Sequence, residues 1–425
     1  MAGCTQEEIE LQGCYIYKMA IGGNMTEKIP QYASYLLTLI LSLLFLFIGS
    51  LFAGQIPDGA DDGIAYYRAH VINIFDRVDI NIEGFSSTEI HFNARITSRE
   101  RRGELVRGVQ SFSDMIPISE AEIEPGSNII LASIGDMYFF ANYQRINIIA
   151  ILGGVFFVLI IAFGQAKGFN SIVSLGFICA AVFFVLIPAI LNGRNIYILT
   201  IIICLYAIIS TLFIVIGTNK KALSAMFGCL GGVSVAAGLM FFMDFVLNLT
   251  GMLDHETVAL LRLENPVDIR ALIFAGVIIG AMGAIMDVAM SISSSLFEIC
   301  ELEEDISFTA IFSSGINIGK DILGTMLNTL VLAYIGGSLS VMMLLMVHST
   351  SVIELLNMEM IIVEFLRAII GSFGMFAAIP LTAFICGLLY TKKSKRRKDE
   401  DYFDDYFTPE RLQSIQDIEL PEEDN

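Results

Sequence analysis

The chain has 425 residues, 55% of them hydrophobic and only 16% charged, with a mean hydropathy of +0.70. These values exclude an ordinary soluble globular protein, and a formal charge of −19 argues against nucleic acid as a partner. Four histidines, with no HExxH or GxSxG motif, leave little material for zinc-protease or serine-hydrolase chemistry, and no enzyme activity is expected.

Residues 1–32 are polar and mixed and read as a cytoplasmic arm. The apolar run 33–54 (ASYLLTLILSLLFLFIGSLFAG) is the first transmembrane helix. A cleaved signal peptide is the competing reading, disfavoured by the length and acids of the arm before it. Residues 55–145 form the one sizeable soluble piece, an extracytoplasmic β-rich domain. Within it IHFNARIT (90–97) alternates strictly, placing Ile90, Phe92, Ala94 and Ile96 on one face. RERRGEL and EPGSN supply turns, and NIILASI and DMYFFANY supply further strands, so a small antiparallel domain, a barrel among the options, is expected. Nothing in it resembles a catalytic set, which favours a scaffold or docking module for an envelope partner.

Residues 146–390 read as a seven-helix transmembrane domain, with spans at 146–163, 170–191, 196–217, 222–248, 270–297, 318–345 and 364–390. With the first span these make eight. QAKG, NGRN and GTNKK are short enough only for tight turns between neighbouring helices. Lys167, the Lys220–Lys221 pair and KKSKRRK (392–398) fall on one side if the count is eight. That side is the cytoplasm, with both termini inside and Arg194 as a lone exception. Pro188 and Pro380 are expected to kink their helices. Cys179, Cys204, Cys229 and Cys386 lie in apolar runs without CxxC spacing and read as buried, reduced fillers. Residues 391–425 are basic and then acidic, and read as a mostly disordered cytoplasmic tail. The expected fold class is thus an α-helical polytopic membrane protein of about eight transmembrane helices, with a small extracytoplasmic β domain inserted after the first.

Two of these helices carry polar lines. At 100° per residue, Gly276, Gly280, Gly283, Asp287, Ser291, Ser294 and Glu298 fall within about 40° of one line. Asn317, Asp321, Thr325 and Asn328 form a similar line on the next helix. Antiparallel packing would set Asp287 near Asn328, Ser291 near Thr325, Ser294 near Asp321 and Glu298 near Asn317. Such rungs suit a path from cytoplasm to mid-membrane, and ionisable groups at such depth are functional candidates. Gly276, Gly280, Gly283 and Gly324 are expected to permit close helix packing. The bland alternative is that hydroxyls and amides merely join the helices, with Lys320 snorkelling to the interface and Asp321 complementing a first-turn dipole. Asp244 is a third intramembrane acid, and His255 with Glu256 do not make a metal site.

The motifs GAMGAIMDVAMSISSSLFE and SSGINIGKDILGTMLNTLVLAY resemble those of the YibE/F-like family of multi-pass bacterial membrane proteins. KGFNSIVSL and the LNGRN turn fit the same layout, and the resemblance spans roughly 33–390. It implies a bacterial plasma-membrane protein from a Gram-positive-like organism. It brings no activity, so no residue role is carried over.

The residues support three functions. The first is a transporter or permease for a proton, metal cation or small solute, held by oxygen ligands of Asp287, Ser291, Asp321, Thr325 and Asn328. No nucleotide-binding loop is present and no cofactor is expected, so a gradient or partner would supply the energy. The second is a non-transporting scaffold, sensor or assembly factor whose β domain docks a partner. The third is an intramembrane aspartyl enzyme, disfavoured because Asp287 and Asp321 fall about 10 Å apart in depth. The lipid bilayer is the certain partner, and the Gly-rich face suits a homo-oligomer equally well.

Overall fold

The computed structural model describes residues 25–54, 64–82, 85–98, 101–113, 121–251, 260–261, 265–302, 306–348 and 351–391. Most of the N-terminal arm, the loop with His255 and Glu256, and the tail from 392 with its basic run lie outside these residues. The chain divides into two compact units, one of Pro57–Phe169 and one of Met1–Ile56 with Asn170–Asn425.

In the first unit, β1 (Ile64–Ile82), β2 (Phe85–Ile96), β3 (Leu105–Ser113), β4 (Asn128–Ile134) and β5 (Met137–Tyr143) close into a barrel in the order β1-β2-β3-β5-β4. The alternation expected for β2 holds, since Ile90, Phe92, Ala94 and Ile96 are all buried and share a core with Val71, Ile129 and Leu131. The barrel is not purely antiparallel. β3 and β5 run parallel at Gly108–Tyr138 and Val109–Phe139. The reason is parity: five strands in a closed ring cannot all alternate in direction, so one join must be parallel. β1 is long enough to pair with both β2 and β4, and register shifts at Val71/Asn73 and Ile74/Asp76 bend it.

The helices are α1 (Met25–Ala53), α2 (Ile146–Ala181), a π segment (Val182–Leu186), α3 (Ile187–Leu191), α4 (Ile196–Val215), α5 (Lys220–Leu247), α6 (Ile269–Leu302), α7 (Phe308–Gly337), α8 (Leu339–His348), α9 (Val352–Asn357) and α10 (Glu359–Tyr390). Among the described residues, seven stretches are long and apolar enough to cross a membrane. One of them, Ile146–Leu191, has 46 residues. At 1.5 Å per residue it would measure about 69 Å, more than twice the hydrocarbon core of a bilayer. Helical geometry breaks inside it at Gln165 (φ 47°, ψ −128°). The carbonyl of Ile160 fills the space that a Cβ on Gly168 would need. Residues eight apart in a straight helix lie about 12 Å from one another, so the chain bends sharply at QAKG. Further on, the π segment ends two residues before Pro188, which falls in the first turn of α3, where proline is well tolerated.

The first apolar span falls where expected, at Ala33–Ala53, and its helix α1 extends back to Met25. Two other expectations need correction. α7 begins at Phe308 rather than 318, capped by Ser307, whose Oγ accepts from the Ala310 N–H at 3.2 Å. Glycine, serine and asparagine dilute the apolar signal there, while packing of Ile311, Gly315 and Gly319 holds the helix. Asp321 therefore stands in the middle of its helix and complements no first turn. Cys204, Cys229 and Cys386 are buried as expected, but Cys179 is exposed.

The second unit centres on α5, α6 and α10, whose buried side chains form one continuous core. Their backbones meet at Gly232, where a Cβ would stand 2.7 Å from the Gly374 carbonyl oxygen and 2.8 Å from Ile285. The LNGRN turn anchors α1 to this unit: Asn192 Nδ2 donates to the carbonyls of Ala53 and Pro188, each at 2.9 Å. The Arg194 guanidinium lies 4.6 Å from the centre of the Phe52 ring, which gives this isolated charge a local partner.

Candidate functional site

α6 is apolar on most of its circumference, and most of its apolar window is buried. The open part of its surface is the polar line. Gly276, Gly280, Asp287 and Glu298 are exposed on the single chain, and Gly283, Ser291 and Ser294 are half-buried. α7 buries Ile311, Gly315 and Gly319 and leaves Asn317, Lys320, Asp321, Gly324, Thr325 and Asn328 exposed. Both aspartates sit at helix centres. α6 covers 269–302 and α7 covers 308–337, so Asp287 and Asp321 each lie about 2 Å along the axis from the midpoint.

The two helices pack antiparallel. A Cβ on Gly280 would stand 3.0 Å from the Tyr334 hydroxyl, and one on Gly315 would stand 3.0 Å from Leu296 Cδ1. These contacts put the rungs expected from the sequence within about one turn of register. Among the described residues, no hydrogen bond joins the α6 line to the α7 line. Instead, Thr325 Oγ1 donates to its own helix at the Ile322 carbonyl (2.9 Å), and Ser295 donates to the Ser291 carbonyl (3.0 Å). The structure thus brings the two lines side by side with their polar groups outward, not zipped together.

Apart from Gly280, which meets Tyr334, the glycines of these lines do not bring helices together within one chain. Gly283 and Gly324 have open space where a Cβ would be, and the nearest atom to Gly276 is Arg367 Nη2 at 3.9 Å. Close approach falls to Gly228, Gly232, Gly315, Gly319 and Gly374, where a Cβ would strike a neighbouring helix.

Two polar clusters escaped the sequence reading. At one end of α6, Ser293 is fully buried, 2.6 Å from the Ser224 hydroxyl, and donates to the Lys221 carbonyl at 2.8 Å. It sits one residue off the polar line, so periodicity could not single it out. At the other end, Arg367 and Glu364 of α10 form an ion pair at 2.7 Å. Their side chains are only 30% and 17% exposed, and the Arg367 Nε is buried without a hydrogen-bond partner. An acid and a base three apart inside an apolar run was the available signal. Asp244 on α5 also keeps one carboxylate oxygen buried and unpartnered. Among the described residues, no group of three His, Cys, Asp or Glu side chains converges as a metal site.

The family model described as YibE/F-like protein matches residues 152–392, more than half of the chain. The chain belongs to the YibE/F-like family. The YibE/F-like match takes in α6, α7 and α10 and with them every candidate residue, whereas the barrel lies outside it. No curated protein and no solved structure matches this YibE/F-like chain significantly.

Proposed function

We propose that this protein is a plasma-membrane permease for a proton or small cation, working through the polar lines of α6 and α7. The carrying observation is that Asp287 and Asp321 stand at the centres of two adjacent membrane-length helices, on faces the chain itself leaves open. A charged group at the bilayer centre costs about 3 kcal/mol or more against lipid, so these faces need water or protein against them. Carboxylate, hydroxyl and amide oxygens spaced along such a face suit a proton or a hard cation. In this reading, Glu298 and Asn317 form the inner mouth, Asp287, Ser291, Asp321 and Thr325 the middle, and Asn328 the outward step.

The break in helical geometry at Gln165 supports counting Ile146–Leu191 as two spans, which brings the total to eight. With eight, Lys167 and the Lys220–Lys221 pair share the cytoplasmic side with both termini, and the barrel lies outside.

The test is ion flux into liposomes carrying the purified protein, wild type beside Asp287→Asn. Flux that the substitution abolishes in a folded protein supports transport at α6. A folded wild type that passes neither protons nor alkali nor divalent cations rules the permease reading out.

A scaffold role is the second reading, favoured by one feature of the barrel. Phe75 is exposed on its outer wall, with the Arg107 guanidinium 5.7 Å and the His91 ring 6.0 Å from its ring centre. Pull-down with the full-length protein, wild type against Phe75→Ser, tests whether that patch holds a partner.

A further inference from the structure

Of the seven apolar stretches, the one ending at Gly337 is the least apolar, and almost none of it is buried. That combination is at odds with lipid as the neighbour. The stretch Ile146–Leu191 is also open, but it exposes Ile148, Ile151, Leu152 and Phe163, as a lipid-facing surface should. α7 exposes Asn317, Lys320, Asp321, Gly324, Thr325 and Asn328, which fall within about 140° of its circumference. Its opposite face is already used against α10, where Gly315 and Gly319 meet Ala383 and Ile379. A polar face on the outside of a helix bundle cannot hold a water path by itself. A second wall is required.

We infer that the second wall is another copy of this chain, docked through the Asn317–Asn328 face of α7 about a two-fold axis along the membrane normal. Copies in one membrane share orientation, so a symmetric contact pairs each residue with partners at its own depth. The α7 face is complementary to itself under that rule. Lys320 and Asp321 are about 1.5 Å apart in depth, so each cation meets the other copy's carboxylate. The amides of Asn317 and Asn328 each carry donors and an acceptor and can pair with their own counterparts. Gly324, at the centre of the face with nothing within 4 Å of its Cβ position, lets the two backbones approach. In one chain this α7 face is open, and the second copy covers it. This inference rests on α7 spanning the bilayer and holds whether or not the path conducts.

The test is disulfide cross-linking in membranes, with the seven native cysteines replaced by alanine and a single cysteine introduced. Gly324→Cys is compared with Val235→Cys, an exposed apolar position on α5. Oxidation is expected to convert most of the Gly324→Cys chain to dimer and little of the Val235→Cys chain. Subunit counting by single-molecule bleaching of the unmodified protein in liposomes, expected to give two, keeps the test independent of the cysteine-free background. One copy per particle overturns the inference, as does dimer formation at Val235→Cys without any at Gly324→Cys. Cross-linking of Gly324→Cys to a different protein overturns it too. Dimers without ion flux leave the inference standing and remove the permease reading. Flux from single copies does the reverse.

Discussion

The carboxylate of Glu359 holds Thr250 through two hydrogen bonds, accepting from its backbone N–H at 2.8 Å and its hydroxyl at 2.6 Å. It also accepts from the Gly251 N–H at 2.5 Å. One side chain at the start of α10 thus fixes the chain just after the left-handed Asn248 that ends α5. The negative charge also sits favourably at a helix N-terminus. Glu359→Ala is expected to cost about 1–2 kcal/mol, with Glu359→Gln intermediate because one oxygen remains. Denaturant titration of the detergent-solubilised protein measures both.

Gly232 and Gly283 should respond in opposite ways to a side chain. A Cβ at Gly232 meets Gly374, Ile285 and Ala378, all within 2.9 Å, and one at Gly283 meets nothing within 4 Å. Gly232→Val is expected to lose about 1–3 kcal/mol through overpacking. Gly283→Ala should leave stability unchanged or raise it by up to about 1 kcal/mol through helix propensity. Survival of the monodisperse species on heating ranks the two variants.

The Glu364–Arg367 pair is largely withdrawn from solvent, so removing one partner strands the other. Arg367→Met alone is expected to cost about 3 kcal/mol, whereas the double change Glu364→Gln with Arg367→Met should cost much less. A double-mutant cycle with unfolding as the readout isolates the coupling. Equal losses for the single and double variants would show that Arg367 is held by packing alone.

In the barrel, a Cβ on Gly108 would stand 2.5 Å from the ring of Phe92, which is fully buried. Gly108→Val is expected to destabilise the barrel by about 2–3 kcal/mol. In the full-length chain, proteolysis should then cut within 57–145 while the helical circular dichroism holds.

What could be read from the sequence depended on whether a pattern was local. The face of β2 was legible because alternation is a property of eight consecutive residues. The parallel β3–β5 join was not, because it follows from how many strands close the ring. The polar lines of α6 and α7 were found by helical periodicity, and their antiparallel register came within a turn. Which way the lines face was hidden, since that is decided by what α10 presents to Gly315 and Gly319. The same non-local cause moved close packing from Gly283 and Gly324 to Gly232 and Gly374. The start of α7 was misplaced because its first turns are held by neighbours and not by their own hydrophobicity.

The break in helical geometry at Gln165 bears on how this protein would enter a membrane during synthesis. As a single rod, residues 146–191 would have to leave roughly half their length in water after one crossing. If the segment crosses twice, as proposed, both arms enter together, and the favourable transfer of each arm adds to that of the other. With eight spans, as proposed, the polar turn with Gln165 and Lys167 would stay at one surface and never have to pass through hydrocarbon. On that reading the segment is a unit of insertion, and lengthening or straightening that turn should show first as a failure to integrate, before any loss of folded stability.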